Sequence, residues 1–99
     1  MIKIGTHVII RADRAGVFFG TLAEKEGTEV TLTNCRRIWH WDGAASISQI
    51  AVSGVTMPSL CKFTVPVKEI TITGVIEIIP CTPEAIDNIN AVPVWKISK

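Results

Sequence analysis

The chain has 99 residues, 47% of them hydrophobic and 19% charged, and a formal net charge of +1 at pH 7. This length accommodates one domain with a substantial core and excludes several domains, while the composition excludes a disordered chain. The near-neutral charge counts against a protein that coats nucleic acid, since such proteins carry a clear basic excess. We therefore expect a single globular domain over residues 1–99.

The cysteines at positions 35, 61 and 81 are widely spaced, and none lies in a CxxC or CxxH pair. This spacing supports neither a zinc site nor a disulfide framework, so we expect three reduced, largely buried thiols and no metal or cofactor. The N-terminus has no apolar signal core, and no apolar run reaches membrane-spanning length. These observations predict a cytoplasmic protein.

The first part of the chain has the pattern of a strand meander. Residues 6–11 (THVIIR) are rich in β-branched side chains and predict a first strand, and a turn at Asp13–Gly16 leads into a second over 17–22. Gly20 inside that strand predicts a bulge or a close backbone approach. In residues 28–33 (TEVTLT) apolar and polar residues alternate, as in a half-buried strand. Three strands joined by short turns predict a curled sheet or small barrel.

Helical and β patterns alternate in the remainder. A helix is predicted near 43–53, with Asp42 as its N-cap and Gly54 as its C-terminal stop. Residues 69–79 are strongly β-branched around a central glycine and predict either one bent strand or two short strands.

The last part of the chain predicts a second helix and an edge strand. Thr82 is a good N-cap, Pro83 suits the first helical position and an acid follows, so a helix is expected near 83–90. Residues 94–97 could add an edge strand. The predicted fold class is α+β, mainly β: a small curled sheet or partly open barrel of five to six strands with these two short helices.

The densest cluster of functional residue types follows the third predicted strand. Trp39 and Trp41 are two apart, so on a strand both would share one face with Arg37. His40 and Arg36 would lie on the opposite face. One interpretation is an aromatic platform flanked by guanidinium groups, which stacks a nucleobase and pairs with phosphate. The other is that one or both tryptophans cover the core and Arg37 stacks on an indole, and the residue types alone favour this second interpretation.

Two further features offer contacts to an anion. The predicted helix near 43–53 begins with small residues that leave backbone N–H groups accessible, although Asp42 as an N-cap would satisfy some of them and repel a phosphate. Arg11 and Arg14 bracket Asp13 beside Gly16. A turn rich in arginine and glycine can hold a phosphate but is more often a solvated turn with a weak, exposed ion pair. No serine, cysteine, histidine or glutamate has an acid–base partner at recognisable spacing, so no catalytic residue is predicted.

Three motifs occur together over nearly the whole chain: Ala15-Gly16-Val17 with Gly20, Arg36-Arg37-Ile38-Trp39-His40-Trp41-Asp42-Gly43-Ala44, and Ile76–Thr82. In this combination the sequence resembles a family of small, poorly characterised proteins encoded mainly by tailed bacteriophages and prophages. Tyrosine is common in the family at position 40, where this chain keeps an aromatic ring but loses the hydroxyl. The resemblance carries over no catalytic residues. Its context is that small phage proteins often counter host defence, and several unrelated kinds sequester nucleotide-derived signals as homo-oligomers.

On this basis we expect a non-enzymatic phage protein that binds a nucleotide-derived small ligand, in a homo-oligomer, and counters host defence. The expected ligand-binding residues are Arg36, Arg37, Trp39, Trp41, Gly43, Ala44, Ser46, Arg11 and Arg14. An alternative is a protein-interaction module that inhibits a host enzyme through the same surface, since Trp and Arg are frequent hot-spot residues. A third is a small barrel that binds single-stranded nucleic acid, against which the net charge counts.

Overall fold

The computed structural model describes residues 2–98. These residues form a six-stranded antiparallel sheet that is not closed, two α-helices and one short 3-10 turn at Pro58–Leu60. The strands are β1 (His7–Ala12), β2 (Gly16–Glu26), β3 (Glu29–His40), β4 (Lys62–Phe63), β5 (Val67–Ile72) and β6 (Val75–Pro80). The helices are α1 (Ile47–Ser53) and α2 (Pro83–Asn90). The predicted fold class, mainly β with two short helices, is confirmed.

The sheet order is β4-β3-β2-β1-β6, and β5 also pairs with β3. β5 runs antiparallel to β3 and β6 runs antiparallel to β1, so the two continue in one direction through a bend at Gly74, whose φ is 73°. Residues 69–79 are therefore two strands in line that pair with different neighbours. Among the described strands β5 and β6 do not pair with each other, so the sheet curls without closing.

The bulge predicted at Gly20 is confirmed. Asn34 and Cys35 of β3 lie opposite this one residue of β2, where the register shifts. A Cβ on Gly20 would lie 3.1 Å from the carbonyl oxygen of Thr33 and 3.2 Å from the Cα of Cys35, which is closer than a side chain tolerates without displacement. Asn34 takes up the extra length with a left-handed φ of 50°.

The sheet separates two hydrophobic clusters because successive side chains of a strand point to opposite faces. One cluster lies between the sheet and both helices and is centred on Ile9, Phe19, Ile38, Ile50, Phe63 and Ile89. The other fills the inside of the curl and is centred on Val8, Ile10, Phe18, Leu22, Val30 and Leu32. We call them the helix-side cluster and the inner cluster.

The two helices differ in how well local signals predict them. α2 begins and ends where expected, and the Thr82 hydroxyl accepts the Ala85 N–H at 3.1 Å. α1 begins only at Ile47, so the prediction that Asp42 is its N-cap is wrong: Ser46 is the cap, and its hydroxyl accepts the Gln49 N–H at 3.2 Å. Gly43 has a φ of 87°, and its carbonyl accepts the Thr56 N–H at 3.1 Å. This tertiary contact holds the segment before α1 in a loop.

The C-terminal segment contributes less β structure than predicted. Val94 forms an isolated parallel bridge with Phe63, and the Trp95 N–H donates to the Phe63 carbonyl at 2.9 Å. The predicted edge strand over 94–97 is therefore reduced to this short contact, which lies beside β4. No helix in the described part of the chain is long and apolar enough to cross a membrane.

Candidate functional site

Arg36 is the most deeply buried arginine of the predicted site, with 5% of its surface exposed. Its Nε, Nη1 and Nη2 atoms donate to five main-chain carbonyls, which is the full donor capacity of a guanidinium group. The acceptors, at 2.9 to 3.3 Å, are Thr64, Ile89, Val92, Phe63 and Pro93. Arg36 thus ties the end of α2 and the following residues to β4, and no donor remains for a phosphate.

The charge of Arg36 is balanced by these carbonyls. Burial lowers its pKa from the usual value, and no carboxylate within residues 2–98 forms a salt bridge with it. Ile89 and Val92 contribute carbonyls at the C-terminal end of α2, where the helix dipole favours a positive charge. The guanidinium therefore acts as a cap for α2 from the neighbouring sheet.

Arg37 points away from Arg36, as strand alternation predicts. Its guanidinium carbon lies 4.6 Å from the centre of the Phe18 ring, and Nη1 donates to the Ala15 carbonyl at 3.1 Å. Arg37 and Arg14 line an open cavity of about 300 Å3, together with Asp13 and threonines of β5 and its turn. These are two of the predicted phosphate contacts, and the structure brings them together.

Arg11 lies outside that cavity. Its Nε donates to Oε1 of Glu77 at 2.7 Å across the β1–β6 pair, and both side chains are largely exposed. An exposed ion pair of this kind contributes only a few tenths of a kcal/mol to about 1 kcal/mol of stability. The interpretation of the Arg11 turn as a solvated turn with a weak ion pair fits this geometry.

Trp39 is 64% exposed and stacks on Trp95, which is 46% exposed. The ring centres are 6.4 Å apart and the planes differ by 15°. The Lys62 ammonium lies 5.4 Å from the centre of the Trp95 ring, within cation–π distance. We call Trp39, Trp95 and Lys62 the tryptophan surface. Sequence reasoning missed Trp95 and Lys62, because only the three-dimensional contact of residues 94–95 with β4 brings them beside Trp39.

Trp41 has a different environment. β3 ends at His40, so strand alternation does not extend to Trp41, and the prediction that both indoles share one face is wrong. The Trp41 ring is half-buried against the helix-side cluster, and its Nε1 donates to the Ala44 carbonyl at 3.1 Å. One tryptophan is therefore exposed and the other covers the core. Arg37 stacks on Phe18 and not on an indole.

The small residues before α1 have structural contacts. Gly43 lies so close to the main chain of Met57 that a Cβ would be 2.5 Å from its nitrogen. Ala44 packs against the helix-side cluster, and Ser46 caps α1. The predicted site residues thus separate into a buried clamp, an arginine-lined cavity, an exposed aromatic stack and a packed loop, and the structure does not gather them around one pocket.

The cysteines are all free, and two are fully buried. Burial raises the pKa of the Cys35 thiol to about 12, although the nearby Arg37 charge acts in the opposite direction. Burial also raises the pKa of the Cys81 thiol to about 12. These two thiols stay protonated at neutral pH and are poor nucleophiles. In the part of the chain described by the structure, no group of three or more His, Cys, Asp or Glu residues is placed to hold a metal ion.

A family model described as "Domain of unknown function (DUF6948)" matches residues 5–89. The chain belongs to this family. The matched DUF6948 region contains all six strands, with Arg36 and Trp39 on β3, and nearly all of α2. It ends before Trp95. Searches of the curated proteins and of the solved structures found no match.

The DUF6948 sheet thus carries on one strand, β3, both the buried Arg36 clamp and, three residues later, the exposed Trp39 ring. The tryptophan surface provides two flat apolar rings and one cation. Such a set of groups is suited to recognition by contact and stacking.

Proposed function

We propose that this DUF6948 protein is a non-catalytic phage protein that acts in the host cytoplasm by docking on a host protein through the tryptophan surface. One observation carries the proposal: two stacked indoles are about half exposed or more, although tryptophan is normally well buried. Tryptophan is among the residues that contribute most binding energy at protein interfaces. Inhibition of a host enzyme is the expected consequence of docking.

Further exposed apolar side chains lie close in the chain to members of this surface. Leu60 and Val65 are exposed on either side of β4, and Val94 is exposed beside Trp95. Isolated exposed apolar residues are common on monomeric proteins, whereas several adjoining ones mark interaction sites. The extent of the apolar area therefore favours a macromolecular partner over a small ligand at this position.

The charges around the tryptophan surface indicate the chemistry of the partner. Residues 60–68 and 93–98 contain lysines at 62, 68 and 96 and no Asp or Glu, while Asp42, the carboxylate nearest to Trp39 in the chain, lies 3.0 Å from the His40 ring nitrogen Nε2. A complementary partner has an apolar centre with an acidic rim. A second copy of this chain fits less well, because a two-fold interface centred on the stack would bring Lys62 close to its own counterpart.

Replacing Trp39 and Trp95 together by alanine should abolish capture of the partner from host lysate. Loss of one central tryptophan typically costs about 2 kcal/mol or more of binding energy, and Lys62→Glu should weaken capture through charge repulsion. The measurement is quantitative mass spectrometry of proteins retained on immobilised wild type and variants. Ile76→Ala is the matched control, because Ile76 is an exposed apolar residue on β6, at the opposite end of the sheet order.

Three results would contradict docking on a host protein. One is that every retained protein binds the double tryptophan variant as well as wild type. Another is a dimer of the protein alone that dissociates in Trp39→Ala, which would make the surface a homo-oligomer interface. The last is tight binding of a single-stranded oligonucleotide that quenches tryptophan fluorescence and is lost in Trp95→Ala.

A second candidate is sequestration of a nucleotide-derived ligand, and a specific observation supports it. The cavity of about 300 Å3 between the β1–β2 turn and β5 is lined by both Arg14 and Arg37. Stacking on Phe18 and the bond to Ala15 hold the Arg37 guanidinium in place, so its ordering costs little on binding. Guanidinium groups bind phosphate through paired hydrogen bonds.

Calorimetry with cyclic dinucleotides and cyclic ADP-ribose isomers tests this second candidate. If a ligand of this class binds here, Arg14→Ala should raise its Kd by about tenfold, because a charge-assisted hydrogen bond to phosphate is lost. Arg11→Ala is the matched control. Arg11 lies on β1 shortly before the same turn, but it is outside the cavity and pairs with Glu77. Absence of heat with every compound, at protein concentrations in the tens of micromolar, would remove the candidate.

A further inference from the structure

A second cavity, of about 350 Å3, lies where the end of α2 approaches β1, β2 and the bulge of β3. Its lining includes the buried residues Phe19 and Arg36 and four less buried polar residues, His7, Thr21, Asn34 and Asn90. Ligand sites have volumes of roughly 300–1,000 Å3 and combine an apolar surface with a few convergent polar groups. None of these residues except Arg36 belongs to the predicted site.

The polar groups of this cavity have unused hydrogen-bonding capacity. The side chains of His7, Thr21, Asn34 and Asn90 make no hydrogen bond to any residue in the described range 2–98, whereas Asn88, on the same helix as Asn90, uses its amide in two bonds to the main chain of Val55. Each asparagine amide offers donors and an acceptor on one planar edge. Asn34 and Asn90 both line the cavity and are exposed, so their amides can bind a ligand without breaking a hydrogen bond within the described residues.

Asn34 has an unusual backbone conformation at this place. Its φ of 50° is left-handed, and it results from the bulge in which Asn34 and Cys35 oppose Gly20. A left-handed backbone at a residue other than glycine costs of order 1 kcal/mol or more of conformational free energy, and such residues concentrate at binding sites. Asparagine tolerates this conformation better than most residues. The bulge is what places residue 34 among the cavity-lining residues.

The electrostatics of the cavity favour an electron-rich ligand. No Asp or Glu lines it, and the Arg36 cation forms part of its wall. Because all five donors of Arg36 are used by carbonyls and its guanidinium lies over the Phe63 ring, the cation offers its electric field rather than new hydrogen bonds. The His7 ring, stacked on Phe19 with 6.1 Å between centres, provides a flat surface.

From this arrangement we propose that the cavity of His7, Asn34, Asn90 and Arg36 binds the nucleobase of a nucleoside or mononucleotide. A base is planar and electron-rich, and its edge alternates donors and acceptors that an asparagine amide matches with two hydrogen bonds. The volume, at the low end of ligand sites, suits one nucleotide rather than two. This inference rests on the nucleotide class of the second candidate function and assigns the base to a site other than the Arg14–Arg37 cavity.

The test is a titration of the ¹⁵N-labelled protein with AMP, GMP, CMP and UMP, observing the side-chain NH2 signals of Asn34 and Asn90. At least one nucleotide should shift both pairs of signals in a saturable way. Asn34→Gly keeps the left-handed backbone but removes the amide, and Asn90→Ala removes the second amide at the exposed end of α2. Each should raise Kd by about tenfold, equivalent to ~1.4 kcal/mol, while Ile76→Ala, at an exposed position of β6 outside both cavities, should leave Kd unchanged.

The variants separate the failure of this site from the failure of nucleotide binding. If a mononucleotide binds and only Arg14→Ala weakens it, the proposed base site is wrong while the nucleotide class stands. If neither asparagine signal moves with any of the four nucleotides up to millimolar concentration, the site is also wrong, whatever the calorimetry with cyclic compounds shows. Asn90→Ala keeps the test decisive if Asn34→Gly disturbs the bulge.

Discussion

Replacing Arg36 by methionine should lower the free energy of unfolding by at least about 4 kcal/mol. Methionine has a similar length but no donors, so five carbonyls from α2 and the segments around it lose their partner in a buried place. A domain of this size has a total stability of about 5–15 kcal/mol, so this variant approaches complete unfolding. Denaturation with urea at neutral pH, followed by circular dichroism, measures the change.

Arg37→Met is the matched control for this measurement. The two arginines are adjacent, but Arg37 has one carbonyl bond and one ring contact, so its replacement should cost about 1 kcal/mol. Arg36→Lys should recover only part of the loss, because an ammonium has three donors against five acceptors. Equal destabilisation by Arg36→Met and Arg37→Met would show that the clamp contributes no more than an ordinary half-buried arginine.

Gly54→Ala should destabilise the fold by about 3 kcal/mol. Gly54 ends α1 with a φ of 80°, and a Cβ there would collide with the side chain of Asn88. Asn88 would have to move away from Val55, where it accepts an N–H at 2.8 Å and donates to the carbonyl at 2.9 Å. The cost therefore combines the left-handed backbone, of order 1–2 kcal/mol, with the loss of two hydrogen bonds. Thermal or urea unfolding of the purified variant provides the measurement.

Gly27→Ala isolates the backbone contribution. Its φ is 59° and a Cβ there meets no atom within 4 Å, so only the conformational cost of about 1–2 kcal/mol should appear. The double variant Gly54→Ala with Asn88→Ala should be less destabilised than the sum of the two single variants, because both remove the same bonds. Additive effects, or equal effects at Gly27 and Gly54, would mean that the contact with Asn88 has no energetic weight.

The elements that the sequence predicts well are those whose signals are local. β1 and α2, which have a β-branched run and the Thr82–Pro83 start, form at the expected places. β2 begins where expected after its glycine-containing turn but continues to Glu26, four residues beyond the predicted end. α1 starts late because a tertiary bond between Gly43 and Thr56 holds the residues before it in a loop. The length of β3 is likewise decided by its partner β4, which ends the pairing at His40 and separates Trp41 from Trp39.

The candidate site was predictable only in part for the same reason. Alternation along β3 correctly places Arg36 and Arg37 on opposite faces, but it does not tell which face is covered by α2. Arg36 is buried because the end of α2 lies over it, and that contact joins residues 53 to 57 positions apart. Trp95 has no local pattern at all, and its stacking on Trp39 depends on the same long-range arrangement.

The carbonyls that Arg36 holds include those of Val92 and Pro93, immediately before Val94 and Trp95. Contacts between residues so distant in sequence carry a large loop-closure cost and form late in folding. The pairing of the two indoles therefore exists only once the sheet, α2 and the C-terminal segment have all assembled. A nascent or partly unfolded chain presents each tryptophan singly, so the complete tryptophan surface is itself a signature of the finished fold.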